Sequence, residues 1–75
     1  MQVLQVIIEF IQEKTGVDTV LLNENLLTQI KSFDFMMLIL ELEQRFSVQL
    51  PIESIIEDEI TTVTQFASWV DEKID

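Results

Sequence analysis

The segment Ser32–Phe46, SFDFMMLILELEQRF, constrains the fold most strongly because it places apolar residues on two sides of one helix. At about 100° per residue, one side holds Phe35, Leu38, Ile39, Leu42 and Phe46. The opposite side holds a second row with i, i+3, i+4 and i+7 spacing, which consists of Phe33, Met36, Met37 and Leu40. A helix of a small domain needs one such row for its core. The second row, called here the apolar stripe, is therefore expected to contact another helix, a ligand or a partner protein.

Length and composition limit the functions open to this chain. Its 75 residues suffice for a single domain, 1–75, near the lower size limit for one core. Cysteine and histidine are absent, which excludes disulfides, thiolate chemistry and the usual general base at neutral pH. No acid–base pair, nucleophile–base pair or metal-ligand group can be assembled from the other residues. We therefore expect no catalytic residues, no enzyme activity and no metal site.

The charge of the chain indicates which partners it attracts. Four basic and fourteen acidic residues give a net charge of −10. Such a chain repels nucleic acid and anionic membranes and attracts basic protein surfaces. The 48% hydrophobic content and its regular spacing argue against disorder. Because the sequence has no apolar run of about 18 residues and no basic leader, we expect a cytoplasmic protein without membrane insertion.

The pattern before the second helix predicts one helix and a long loop. The first helix covers Gln2–Thr15, and Gly16 follows at the position where a left-handed C-cap residue is favoured. Residues 17–31 lose the helical pattern, and a loop of this length is usually functional. The residues expected to pin it to the core are Val20, Leu22, Leu26, Leu27 and Ile30. Ser32 is the predicted N-cap of the second helix.

The remaining sequence predicts a short third helix and a longer last one. Pro51 can open a helix over Ile52–Glu57. Thr62 and Gln65 form a capping box ahead of a helix that ends near Lys73. Its core face is expected to hold Val63, Phe66, Ala67, Val70 and Ile74. Trp69 lies to one side of this face and is expected to be half exposed. The predicted fold class is all-α, with three main helices, one short helix and a long first loop.

Several segments resemble acyl carrier proteins and their aminoacyl and peptidyl relatives. Ser32-Phe33-Asp34, the run 38–46 and Leu50-Pro51 are similar to the second helix of that family, and 60–63 is similar to the start of its last helix. The resemblance covers nearly the whole chain and implies a four-helix acyl-carrier-like bundle. It also implies that Ser32 carries a covalent 4′-phosphopantetheine arm whose thiol holds an acyl or aminoacyl group. The chain would then be a phosphoprotein of fatty-acid, polyketide or nonribosomal biosynthesis.

The resemblance also implies a set of partners. They are a phosphopantetheinyl transferase and the enzymes that load or transfer acyl or aminoacyl groups, all with basic docking surfaces. The carrier itself is expected to be a monomer. The residues expected to contact these partners are the apolar stripe and nearby acids: Phe33, Asp34, Met36, Met37, Leu40, Glu41, Glu57 and Asp58. Acidic steering around a small apolar centre gives fast and reversible docking, and methionine adapts to differently shaped partners.

The sequence departs from the family pattern just before Ser32. Lys31 stands where the family almost always has aspartate, and Leu27–Ile30 lacks the usual glycine. In the family, that aspartate helps the transferase place its metal and substrate. Three explanations stay open: a dedicated transferase, a mutation at position 31, or a carrier that has lost its arm. The length of 51–60 is closer to that of discrete aminoacyl or D-alanyl-type carriers.

Simpler interpretations stand beside the carrier function. Ser32 could be only a helix cap, and Met37 and Leu40 could be buried against the third helix. The phenylalanines and Trp69 could belong to the core or could line a cavity for an acyl chain. The alternative function is a non-enzymatic, acidic helical module for protein interaction or dimerisation, in which Ser32 is never modified.

Overall fold

Four α-helices make up the computed structural model, which describes residues 1–74. They are α1 (Gln2–Thr15), α2 (Ser32–Phe46), α3 (Ile52–Glu57) and α4 (Val63–Lys73), and a short 3₁₀ turn covers Leu26–Thr28. Within residues 1–74 there is no β-strand, only one isolated bridge between Asn25 and Thr62. The all-α prediction, the four helices and the long first loop are confirmed.

Both ends of the first loop are set by backbone geometry. Gly16 ends α1 in the left-handed conformation, with φ of 77°, and its N–H donates to the Gln12 carbonyl at 2.8 Å. The prediction that Ser32 caps α2 is wrong by one residue. Lys31 has the extended N-cap backbone, and its carbonyl accepts from the Phe35 N–H at 2.9 Å. Ser32 is therefore the first residue of the helix itself.

The core lies where α1 packs against α4 and α2. From α1 it takes Val3, Ile7 and Ile11, all nearly inaccessible to solvent. From α2 it takes three residues of the first apolar row, Leu38, Ile39 and Leu42, while Phe35 and Phe46 are half-buried against it. The assignment of this row to the core is confirmed.

The long loop is bound to the start of α4 by backbone hydrogen bonds. The Leu26 N–H donates to the Thr61 carbonyl at 2.8 Å, and the Thr64 N–H donates to the Leu22 carbonyl at 3.0 Å. Val20, Leu26 and Ile30 are buried and Leu22 is half-buried, as predicted. Leu27 is not an anchor, because 53% of it is exposed. In a 3₁₀ turn successive side chains are about 120° apart, so burying Leu26 turns its neighbour outward.

The last helix begins with the predicted capping box. The Gln65 N–H donates to Thr62 Oγ1 at 3.1 Å, and the Thr62 N–H donates to Gln65 Oε1 at 3.0 Å. The expectation that Trp69 is half exposed is wrong, since only 4% of it is accessible. Its ring stacks on Phe66 at 6.0 Å between centroids, and the Lys73 ammonium lies 5.4 Å from its centre. Packing on both sides thus covers a residue that lies at the edge of the predicted core face.

Candidate functional site

Ser32 occupies the exposed tip of α2. No side-chain hydrogen bond caps this end of the helix, so the Ser32 hydroxyl is not committed to capping. The first N–H groups of any α-helix lack partners within the helix and give its start a partial positive charge. Asp34 in the first turn complements that charge. An exposed hydroxyl at such a position is accessible to a modifying enzyme and suited to bearing a phosphate.

The apolar stripe begins one residue after Ser32 and is exposed along its length. The exposed fractions are 73% for Phe33, 43% for Met36, 41% for Met37 and 50% for Leu40. The interpretation in which Met37 and Leu40 are buried against the third helix is wrong. α3 has six residues, and only Ile55 of these is buried, so this helix is too short to cover α2. In the monomer the stripe therefore faces solvent.

The acidic residues predicted to flank the stripe differ in solvent exposure and in whether they already form an ion pair. Glu41 is half-buried and accepts hydrogen bonds from Arg45, with the shorter contact at 2.9 Å. Asp34 is half-buried in the first turn of α2, whereas Glu57 and Asp58 are exposed at the end of α3. Sequence reasoning missed Ile56, an exposed isoleucine beside Glu57. The i, i+3 and i+4 spacing of Ile52, Ile55 and Ile56 places all three on one side of α3, so the sequence gives no local signal that Ile56 is exposed.

A small apolar pocket lies between the long loop, α2, α3 and the start of α4. Its volume is about 80 Å³, and its walls are Asn25, Leu26, Leu27, Phe35, Ile55, Ile60, Thr61 and Phe66. A benzene-binding cavity in a protein core measures about 150 Å³, so this pocket has room for only a few carbon atoms. Phe35, on the first turn of α2, joins this pocket to the helix end that holds Ser32.

A polar groove of about 450 Å³ lies on the other side of the α2 tip. It is lined by Lys14, Thr15, Thr28, Gln29, Ile30, Lys31 and Asp34. The groove forms because the first loop returns past the end of α1 before α2 begins. Sequence reasoning identified Lys31 as unusual but did not place Lys14 beside it, since the two are separated by the whole loop. That proximity is a consequence of tertiary structure alone.

Comparison of the chain with models of protein families, with curated proteins and with solved structures gives no match. Within residues 1–74, no helix has the length and apolar content needed to cross a bilayer. The features that bear on function are therefore the tip of α2 and the surfaces around it.

Proposed function

We propose that this chain is an acyl carrier protein in which Ser32 is the attachment residue for a 4′-phosphopantetheine arm. One observation carries the proposal. An exposed, uncommitted hydroxyl stands at the first residue of a 15-residue helix that also presents the apolar stripe to solvent. A carrier needs both features on one element, because its partners must bind the helix and reach the arm at the same time.

The attachment step requires from this chain only an accessible nucleophile. The Ser32 oxygen forms a bond to the phosphorus nearest the pantetheine of coenzyme A, and the bond between that phosphorus and the bridging diphosphate oxygen breaks. Adenosine bisphosphate leaves, and the hydroxyl proton passes to a base of the transferase. The start of α2 favours the negative phosphate once it is in place. The arm, when bound, supplies a thiol that holds the cargo as a thioester, so the chain itself is proposed not to be an enzyme.

Docking is assigned to the apolar stripe and its acidic neighbours. The proposed partners are the transferase and the enzymes that load or transfer the cargo in the cytoplasm. Phe33, Met36, Met37 and Leu40 would supply the apolar centre, while Glu57 and Asp58 would attract basic side chains. Long-range attraction speeds association without lengthening the residence time, which suits a protein that must visit several enzymes.

The small apolar pocket bears on the cargo. At about 80 Å³ it could hold the end of a short or branched apolar group but not an extended fatty chain. A short acyl group, or an amino acid with a small apolar side chain, is therefore the cargo that the pocket favours within the carrier proposal.

A second candidate is an acidic helical module for protein interaction or dimerisation. The exposed stripe favours this function equally well, since it does not require Ser32 to be modified. The two candidates differ in whether Ser32 acquires an arm and in whether the isolated chain remains a monomer.

Intact mass after co-expression with a broad-specificity phosphopantetheinyl transferase separates the two candidates. We expect the mass to increase by one phosphopantetheine in the unaltered chain and not in Ser32→Ala. Ser68→Ala is the matched control, because Ser68 is also exposed on a helix, and it should still be modified. No increase in the unaltered chain or in Lys31→Asp, together with a dimer in light scattering, would favour the interaction module.

A further inference from the structure

The few basic residues of this chain are unevenly placed. There are four in all, against fourteen acidic residues. Lys14 and Lys31 both line the polar groove beside Ser32. Arg45 is paired with Glu41 at 2.9 Å, and Lys73 lies over the Trp69 ring. Half of the positive side chains of a strongly acidic protein thus line one groove next to the helix end that holds Ser32.

The neutral groups of this groove are committed to the fold. The Thr15 hydroxyl donates to the Ile11 carbonyl and the Thr28 hydroxyl to the Asn25 carbonyl, each at 2.7 Å. The Gln29 amide is bonded in both directions to the Leu21 backbone, at 2.9 and 2.7 Å. The groups left to interact with a partner here are therefore the charged ones.

The lysines of the groove are not neutralised by ion pairs. In the part of the chain that the structure describes, the single salt bridge joins Arg45 to Glu41, so Asp34 pairs with neither Lys14 nor Lys31. The Lys14 ammonium lies 5.5 Å from the centre of the Phe10 ring, a contact that leaves its charge intact. Among its own lining side chains the groove has two positive charges against one negative charge, while Lys14 also lines a neighbouring pocket with Glu9, Glu13 and Glu41.

These positions lead to an inference that rests on the carrier function proposed above. We propose that the enzyme acting on Ser32 presents acidic side chains to the Lys14–Lys31 groove. The same enzyme presents basic side chains to Glu57 and Asp58, the acids assigned above to docking beside the apolar stripe. A uniformly basic surface would be attracted from a distance by the net charge of −10. At contact it would be repelled at Lys31, immediately beside the hydroxyl that it must reach. Because juxtaposed like charges are costly, this two-signed surface fixes the orientation of the partner.

Binding to the transferase, measured in a Ser32→Ala background, tests this inference because no phosphopantetheine can be transferred during the measurement. The probe is a broad-specificity phosphopantetheinyl transferase with a basic docking surface. We expect Lys31→Glu to lower Kd about tenfold and Lys14→Gln to lower it less, since a repulsion is removed in each case. Lys73→Gln is the control, because it changes the net charge as much as Lys14→Gln does but at the far end of α4. It should change Kd by less than about twofold.

A reversed charge on the transferase completes the test. Replacing its basic residue nearest position 31 with glutamate should tighten binding to the chain with Lys31 and weaken binding to Lys31→Glu. Equal effects on Kd of the substitutions at positions 14, 31 and 73 would overturn the inference and leave the carrier function intact. The same holds if the substitution in the transferase and Lys31→Glu change the binding free energy additively. Failure of every variant with an intact Ser32 to acquire the arm in the mass assay would overturn the carrier function and this inference with it.

Discussion

The two-sided character of α2 is tested most sharply by a pair of leucines two residues apart. Leu38 is completely buried in the core, whereas half of Leu40 is exposed on the apolar stripe. Both are central residues of the same helix, and both can be replaced by alanine with the same change in side-chain volume and helix propensity. The difference between the two variants therefore reports burial alone.

The magnitudes follow from the exposed fractions. Leu38→Ala removes a fully buried side chain and leaves a cavity, which costs about 2–5 kcal/mol of unfolding free energy. Complete burial of a leucine contributes about 1.5–3 kcal/mol, so the half-exposed Leu40 contributes about 1 kcal/mol. The higher helix propensity of alanine offsets a few tenths of that in both variants. We expect Leu38→Ala to be more destabilising than Leu40→Ala by about 2 kcal/mol or more.

Urea unfolding followed by circular dichroism measures the difference. With a slope of about 1 kcal/mol/M for a small domain, the two midpoints should differ by about 2 M. Equal losses in the two variants would refute the assignment of Leu40 to an exposed surface. A loss at Leu40 that grows with protein concentration would instead show that the stripe is buried between two copies of the chain.

Two further predictions concern α4. Thr62→Ala removes one half of the capping box and should lower the unfolding free energy by about 1 kcal/mol, measured by urea unfolding, whereas the exposed Ser68→Ala should change it by less than about 0.5 kcal/mol. Trp69, the single tryptophan, should emit at short wavelength and resist quenching by acrylamide, because its ring is buried. Emission typical of a solvated indole would contradict the packing of Trp69 on Phe66.

The sequence predicts the helices of this chain well because their signals are local. Gly16 supplies the left-handed cap, and Thr62 and Gln65 supply the capping box; each feature depends on residues within one turn. The apolar row of α2 is equally clear, since its period matches the helix. What the periodicity leaves undetermined is the exact start of α2. Ser32 is compatible with both the N-cap and the first helical position, and the extended backbone of Lys31 decides between them.

The errors arise where burial depends on neighbours distant in sequence. Leu27 is a large apolar residue of the kind that anchors a loop to the core, but the 3₁₀ turn that buries Leu26 directs Leu27 outward. Trp69 lies beside the predicted core face of α4, yet Phe66 and Lys73 cover it. The groove that joins Lys14 to Lys31 likewise depends on the path of the whole first loop. Ser32 and the stripe could be predicted because they lie on one helix, whereas the position of Lys14 in the same groove as Lys31 could not.

An exposed apolar stripe raises the question of what keeps copies of this chain apart. A net charge of −10 on a chain of 75 residues supplies a repulsion that acts between any two copies. Screening should therefore reveal the stripe, because the Debye length falls from about 10 Å at 0.1 M salt to about 3 Å at 1 M. We expect a monomer at low salt and concentration-dependent association in about 1 M sodium chloride, measured by sedimentation or light scattering. Met37→Gln combined with Leu40→Gln should abolish that association, whereas Lys73→Gln should not. Association that persists in the double variant would assign self-contact to another surface, and a stable dimer at low salt would favour the interaction module over the carrier.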